Sequence, residues 1–459
     1  MRAATPRPSR TPPLRVGTSG DYAPFSTRGA DGAFAGFDVE VARAYAAERG
    51  REVVLVPFRW PELAARFAAG DFDVVMSGVT VRPDRLVAGT FTAAVARSDA
   101  VLVVASSAPA KAAAGAFDRA GRTIAVNRGG HLEQVARARF PHATIVTVDD
   151  NTRLPAALED GTAEAIVTDT LELASFQARC PAGSEAACLR VVATLSRDEK
   201  AYWLPAANGA LAADLDGWLL ARERSGWLPG LRARLLAASE PAALGAAETS
   251  LVARLHRRLT LMPAVVAAKR LRGLPIEDRE REAAVERDAA GRAGAIGLDS
   301  RTFVALVRAE IAAAKAIQNA TPKDVAAAHS LDELRQAINR LDARIAFELA
   351  ALAPLDASEA ALAAALADDV PGLTPAVARR LARALRAVQA APGALSTGRA
   401  CGALCMLAVE PTPWVSREVE DAERDESMHG RSGGGTCLPA RRGHGLGADA
   451  RDAAGAQHG

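Results

Sequence analysis

Short apolar runs alternate with amphipathic stretches over the first half of the chain. Leu14–Thr18 (LRVGT) reads as a strand. Residues 39–49 then carry apolar positions at helical spacing, with Asp38 as the expected N-cap and Gly50 ending the helix. EVVLVPF (Glu52–Phe58) returns to strand. Trp60-Pro61 opens a further helix with proline in its first turn, and DVVMSG (Asp73–Gly78) is again strand. This alternation predicts βαβ units and a mostly parallel sheet. VLVVASSAPAKAA (Val101–Ala113) reads as a strand running out into a hinge of small residues, so a second lobe is expected over about 104–195. That lobe would hold TIAVNRGG, ATIVTVDD and AEAIVTD. KAYWLP (Lys200–Pro205) would bring the chain back. Two lobes joined by two crossings make a clamp with a cleft between them, and residues 14–240 are assigned to it.

From about Ala246 the apolar period becomes that of a helix. Leu251, Leu255, Arg258 and Met262 share one face, as do Phe303, Val307, Ile311, Ala314 and Gln318. Leu334, Ile338, Leu341 and Ile345 form a third stripe with Arg344 beside it. The expected fold class is therefore multidomain: an α/β two-lobed clamp (14–240) followed by an all-α domain (246–395). The glycine-rich residues 399–459 are expected to form a disordered tail.

Composition narrows the function classes. A net charge of +2 over 459 residues leaves no basic footprint for nucleic acid. No apolar run approaches the roughly 20 residues that span a bilayer. MRAATPRPSRTPP at the start has basic residues but no apolar core, so as written it is not a leader. The chain is either cytoplasmic or starts after a leader that is not in this sequence. Five cysteines show no zinc spacing, and no metal or cofactor is expected. Cys180 and Cys188 either close a small loop or remain two free thiols.

GDYAPFS (Gly20–Ser26), GFDVEVA, FRWPEL, GDFDVVMSGVTVRPDR (Gly70–Arg85), NRGG (Asn127–Gly130) and VTDTLE (Val167–Glu172) together resemble the periplasmic amino-acid-binding proteins. Among these they are most similar to the cyclohexadienyl dehydratases. The resemblance implies that Arg85 holds a ligand carboxylate as a bidentate fork, with Thr80 beside it. It implies that Tyr22 and Trp60 pack on the ligand and that Asp169 sits where binders receive an α-amino group. NRGG either offers backbone N–H groups, Gly130 among them, to a second carboxylate or is an ordinary turn. His131 stands where the dehydratases usually have threonine. Glu172 matches their general acid, with a surface glutamate as the alternative reading. Lys200 is either a carboxylate contact or a strand-end charge. Prephenate loses its ring hydroxyl and a carboxylate together, and hydroxide leaves only if an acid protonates it.

Arg258, Lys269, Leu274–Asp278 (LPIED), Arg281, AAAKAIQ (Ala312–Gln318) and LRQAINRLDARI (Leu334–Ile345) resemble the secreted, all-helical chorismate mutases. The resemblance implies a pericyclic rearrangement of chorismate that needs no nucleophile, metal or proton transfer. Arg258, Arg281 and Arg344 would clamp two carboxylates. Lys269 and Gln318 would meet the ether oxygen where charge develops, and Asp278 would orient the cations. Val285 and Ala314 depart from residues seen in some members. The joint expectation is a bifunctional enzyme acting on chorismate, prephenate and arogenate, with a non-catalytic amino-acid-binding module fused to a mutase as the alternative. Neither nucleic acid nor membrane is an expected partner, and a homo-oligomer remains open. The resemblance implies a periplasmic location.

Overall fold

The computed structural model describes residues 12–108, 113–180, 188–236, 245–367 and 370–391; the expected tail at 399–459 lies outside them. Two five-stranded sheets form the first half. In the first, Leu14–Thr18 pairs in parallel with Val53–Pro57 and Val74–Val75, and Glu199–Pro205 runs antiparallel to Gly89–Arg97. In the second, Thr123–Asn127 lies between Thr144–Val148 and Ala165–Asp169, followed outward by Ala100–Ala105 and Leu189–Thr194. The parallel strands are short and apolar because helices cover their sheets.

Two local expectations are corrected. The run Ala100–Ala105 belongs to the second sheet from its first residue, so the chain crosses between lobes at Ser98–Asp99 rather than after Val101–Ala113. This run is buried because it is a central strand, with neighbours on both sides. Asp38 is not an N-cap. The helix Phe37–Glu48 starts at Gly36, and the Asp38 carboxylate is buried beneath it. There it accepts from the Gly78 N–H at 2.6 Å and the Tyr202 hydroxyl at 3.0 Å. Burial pushes the Asp38 carboxyl up to about 7.

Beyond residue 245 the described elements are helices. Ala246–Thr260 stops at Leu261, and Met262–Leu271 restarts with Pro263 in its first turn. Arg279–Ala293, Ser300–Ala320, Leu331–Leu352, Glu359–Leu366 and Pro375–Arg386 complete the array. Leu251, Leu255, Leu334, Leu341 and Ile345 are buried in a hydrophobic core continuous with that of the first lobe.

Charge joins the same two parts. Arg254 donates to Asp216 at 2.6 Å and to Glu348 at 2.6 Å, and Arg257 donates to the Thr92 carbonyl at 2.8 Å. Arg340 donates to the carbonyls of Leu86 and Val87 at 3.0 and 2.9 Å. Burial works to raise the Asp216 carboxyl, but Arg254 and Arg344 outweigh it and hold the group below 3.8. In the second lobe Cys180 and Cys188 form a disulfide with Cα atoms 5.8 Å apart, which resolves the open alternative for this pair. Among the described residues no helix is long and apolar enough to cross a membrane.

Candidate active site

The cleft between the lobes gathers side chains from the ends of several strands, where ligands of open α/β sheets lie. It holds about 280 Å³ of empty space, part of it open to solvent. Tyr22, Trp60, Thr80, Arg85, Gly130 and His131 all line it. The sequence had singled out each of these six, and the fold brings them together from both lobes.

Arg85 sits on the short helix Pro83–Ala88 and is buried. One guanidinium nitrogen donates to the Thr80 carbonyl at 2.8 Å, and the group lies 5.8 Å from the centre of the Trp203 ring. Among the described residues it makes no ion pair. Burial, with Arg82 nearby, pushes it down to about 9. Asp84 nearby offsets only part of that burial, and a buried cation without a direct ion pair is costly and is relieved by an anionic ligand.

Asp169 ends the strand Ala165–Asp169 and caps the helix Thr170–Gln177. Its Oδ1 accepts from the N–H groups of Leu171 and Glu172 at 3.0 and 2.9 Å and from the Ser98 hydroxyl at 2.6 Å. The Tyr22 hydroxyl donates to Oδ2, and the Lys200 ammonium lies 3.2 Å from the same oxygen. Lys200 also donates to the Tyr22 hydroxyl and to Thr80 Oγ1, each at 2.9 Å. It is 2 % exposed, a cleft residue and not a strand-end surface charge.

Glu172 is 1 % exposed, so the surface-glutamate reading does not hold. Its Oε2 accepts from Thr168 Oγ1 at 2.7 Å, while Oε1 has no hydrogen-bond partner. Burial, then the charge of Asp169, raises its carboxyl well above 4.5. Both effects favour the protonated form, the form a general acid needs. Glu172 and Asp169 do not face the free space of the cavity directly. They lie against the Tyr22 and Lys200 side chains that do.

The NRGG turn serves partly to bring the lobes together. Gly129 has φ +74°, and a Cβ there would stand 2.7 Å from Pro61 Cα of the first lobe. Its N–H is taken by Glu133 at 2.6 Å, so it is not free for a ligand carboxylate. His131 binds Asp198 through Nε2 at 2.9 Å, and its Nδ1 is buried without a partner. Burial pushes the imidazole down despite Asp198, which favours the neutral ring.

Sequence reasoning missed Asp21 and Asn151, and took Asn127 only as the start of the NRGG turn. The Trp60 indole donates to Asp21 at 3.2 Å, while Asn127 and Asn151 line the cleft with unpartnered side-chain oxygens. The available signal was their place: Asn127 is the last residue of one parallel strand and Asn151 follows the carboxyl end of another.

The helical residues divide into four places. Lys269 donates to the Ile276 carbonyl at 2.9 Å. Burial lowers it, with Arg281 and Arg335 adding to the effect and Asp278 opposing it. Lys269, Asp278, Arg281 and Arg335 therefore form one cluster, and Asp278 also caps the helix Arg279–Ala293 by accepting from the Arg281 N–H at 3.0 Å. Gln318 is buried, with its nitrogen 3.7 Å from the Met262 sulfur and its oxygen unpartnered. Arg258 is buried against Asp342 at 2.6 Å and Glu310 at 3.6 Å, so its charge is already met. Arg344 is elsewhere. It pairs with Asp216 of the first lobe, which corrects its placement as a carboxylate clamp in this cluster. The reason is the helix Leu331–Leu352, whose face carrying Arg340 and Arg344 is laid on that lobe. Arg335, on the same helix, was not foreseen in the cluster.

With two lobes, a cleft at strand ends and a buried cation seeking an anion, the chain belongs to the bacterial extracellular solute-binding proteins, family 3, whose pattern matches residues 14–343. It is similar to the cyclohexadienyl dehydratase of Pseudomonas aeruginosa, 36 % identical over 216 residues that cover 47 % of this chain and 79 % of that one. It is also similar to the L-cystine-binding protein TcyJ of Escherichia coli K12, 30 % identical over 160 residues, 34 % of this chain and 59 % of that one. Among solved structures, it matches an ancestral amino acid-binding protein, AncCDT-1, described as a precursor of cyclohexadienyl dehydratase. That match has 27 % identity and a TM-score of 0.45, covering 49 % of this chain and 95 % of the other.

Proposed function

We propose that the clamp is a prephenate dehydratase, with arogenate as a second candidate substrate, and that the helical region supplies prephenate as a chorismate mutase. The observation that carries the first half is Glu172, a buried carboxyl with one free oxygen beside a cleft that holds an unpaired arginine. In this reading Arg85 and Thr80 hold a substrate carboxylate. Glu172 gives its proton to the ring hydroxyl as the C–O bond breaks. The C–C bond to the ring carboxylate breaks in the same process, its electron pair enters the ring, and water and carbon dioxide leave. Glu172 then recovers a proton from solvent. The similarity to cyclohexadienyl dehydratase supports this reading.

For the helical region, Lys269 and Gln318 are the proposed donors to the ether oxygen of chorismate, and Arg281 with Arg335 the proposed carboxylate clamp. A second reading of the clamp, as an amino-acid binder without turnover, is favoured by its likeness to binding proteins such as TcyJ. The Cys180–Cys188 disulfide supports an oxidising, periplasmic compartment for the protein.

The test uses the full chain with each substrate in turn. Prephenate should yield phenylpyruvate, and chorismate should yield prephenate. Lys269→Ala should remove the second activity and leave the first. Tight binding of an amino acid without any turnover of prephenate would refute the dehydratase reading.

A further inference from the structure

The cleft contains its own ammonium group. An α-amino acid ligand needs an acceptor for its ammonium, in practice a carboxylate, when it is held out of water. Asp169 is the carboxylate directly behind Tyr22 and Lys200 of this cleft, and every acceptor direction it has is used. Three donors converge on Oδ1, and the Tyr22 hydroxyl and the Lys200 ammonium share Oδ2. A carboxylate offers about four lone-pair sites, so no place is left for a ligand donor. The other nearby acids are engaged as well. Asp198 is bound to His131 and Ser196, Asp21 accepts from the Trp60 indole and is bonded to Ser19 and the Asn151 backbone, and burial favours the neutral form of Glu172. Arg85 and Lys200, by contrast, both line the cavity, and among the described residues Arg85 makes no direct ion pair.

Building on the dehydratase reading, we infer that Lys200 is the specificity-determining residue of the clamp: its ammonium occupies the position at Asp169 that a ligand's α-ammonium would need. The cleft is accordingly built for a 2-oxo acid such as prephenate and against its 2-amino counterpart arogenate. An incoming ammonium would have to displace Lys200 while standing close to its charge. Like charges a few ångströms apart in a dry site repel strongly.

The test compares prephenate with arogenate on the full chain and on its Lys200→Met variant. The wild-type chain should prefer prephenate in kcat/KM by at least about tenfold, or about 1.4 kcal/mol. Lys200→Met, which frees Asp169 Oδ2, should shift that ratio toward arogenate by a similar factor. Equal use of both substrates by the wild type, or loss of both activities in the variant at an unchanged ratio, would overturn the inference. Should neither substrate turn over, the dehydratase reading fails, and calorimetry with phenylpyruvate and L-phenylalanine then decides the selectivity. Stronger binding of the oxo acid supports the assignment of Lys200. Equal or stronger binding of the amino acid, or binding of neither, overturns it.

Discussion

Replacing Glu172 by glutamine tests the acid through stability as well as rate. Glutamine has the shape of a protonated glutamate, so it keeps a carbonyl oxygen for Thr168 and adds no charge. Below pH 4.5 the wild-type group is protonated in both folded and unfolded chains, and ionisation costs the fold nothing. Above 4.5 the unfolded chain releases its proton, while burial and Asp169 make the folded chain keep it. Wild-type stability then falls by about 1.4 kcal/mol for each pH unit until the raised folded value is passed. Glutamine has no such slope. The stability difference between variant and wild type should therefore widen in favour of the variant as pH rises above 4.5, by up to about 1.4 kcal/mol per unit, and level off once the folded group ionises. Asp38 and Glu310, both pushed up to about 7, titrate in both proteins and cancel. Guanidinium denaturation followed by circular dichroism at pH 5, 6 and 7 measures the difference. Parallel stability curves would refute a buried, protonated Glu172. Prephenate turnover should fall by roughly a hundredfold or more in the variant. In the wild type it should decline as pH rises through the Glu172 value, since only the protonated form donates.

Two further substitutions separate binding from folding. Arg85→Met should weaken carboxylate ligands at least about tenfold, read by calorimetry, yet raise the denaturation midpoint because it removes a buried cation that makes no direct ion pair; a lower midpoint would count against this account. Asp216→Asn should destabilise the full chain by about 3 kcal/mol, since Arg254 and Arg344 would lose a shared buried partner. A loss below about 1 kcal/mol in guanidinium denaturation would show that this junction contributes little.

Much of the architecture was legible because it is written in local periods. Strand runs of five or six apolar residues and helical stripes such as Phe303, Val307 and Gln318 announce their elements directly. The errors came where a partner is distant. Nothing near Asp38 shows that Gly78 and Tyr202 will claim its carboxylate in place of a helix start. The run Ala100–Ala105 signals burial, but its own composition does not say which sheet buries it. At the site, motif residues such as Arg85 and Tyr22 could be picked because they sit in recognisable strings. Asn151 could not, since a polar residue after a strand looks like any loop. Lys200 was ambiguous for the same reason, because its neighbours Thr80 and Tyr22 lie 120 and 178 positions away. Arg344 was misplaced because its partner Asp216 is 128 residues upstream and outside the helical region altogether.

That last pair bears on the inheritance of the two parts of the chain. A coding sequence divided near residue 240 would give one product whose Asp216 has lost both Arg254 and Arg344. The other product would carry Arg254 and Arg257 on a bare apolar helix face with Leu251 and Leu255. Neither fragment would be a smaller working version of its half. Once acquired, such a junction makes the fusion hard to reverse, so descendants of this gene are expected to keep or lose both parts together.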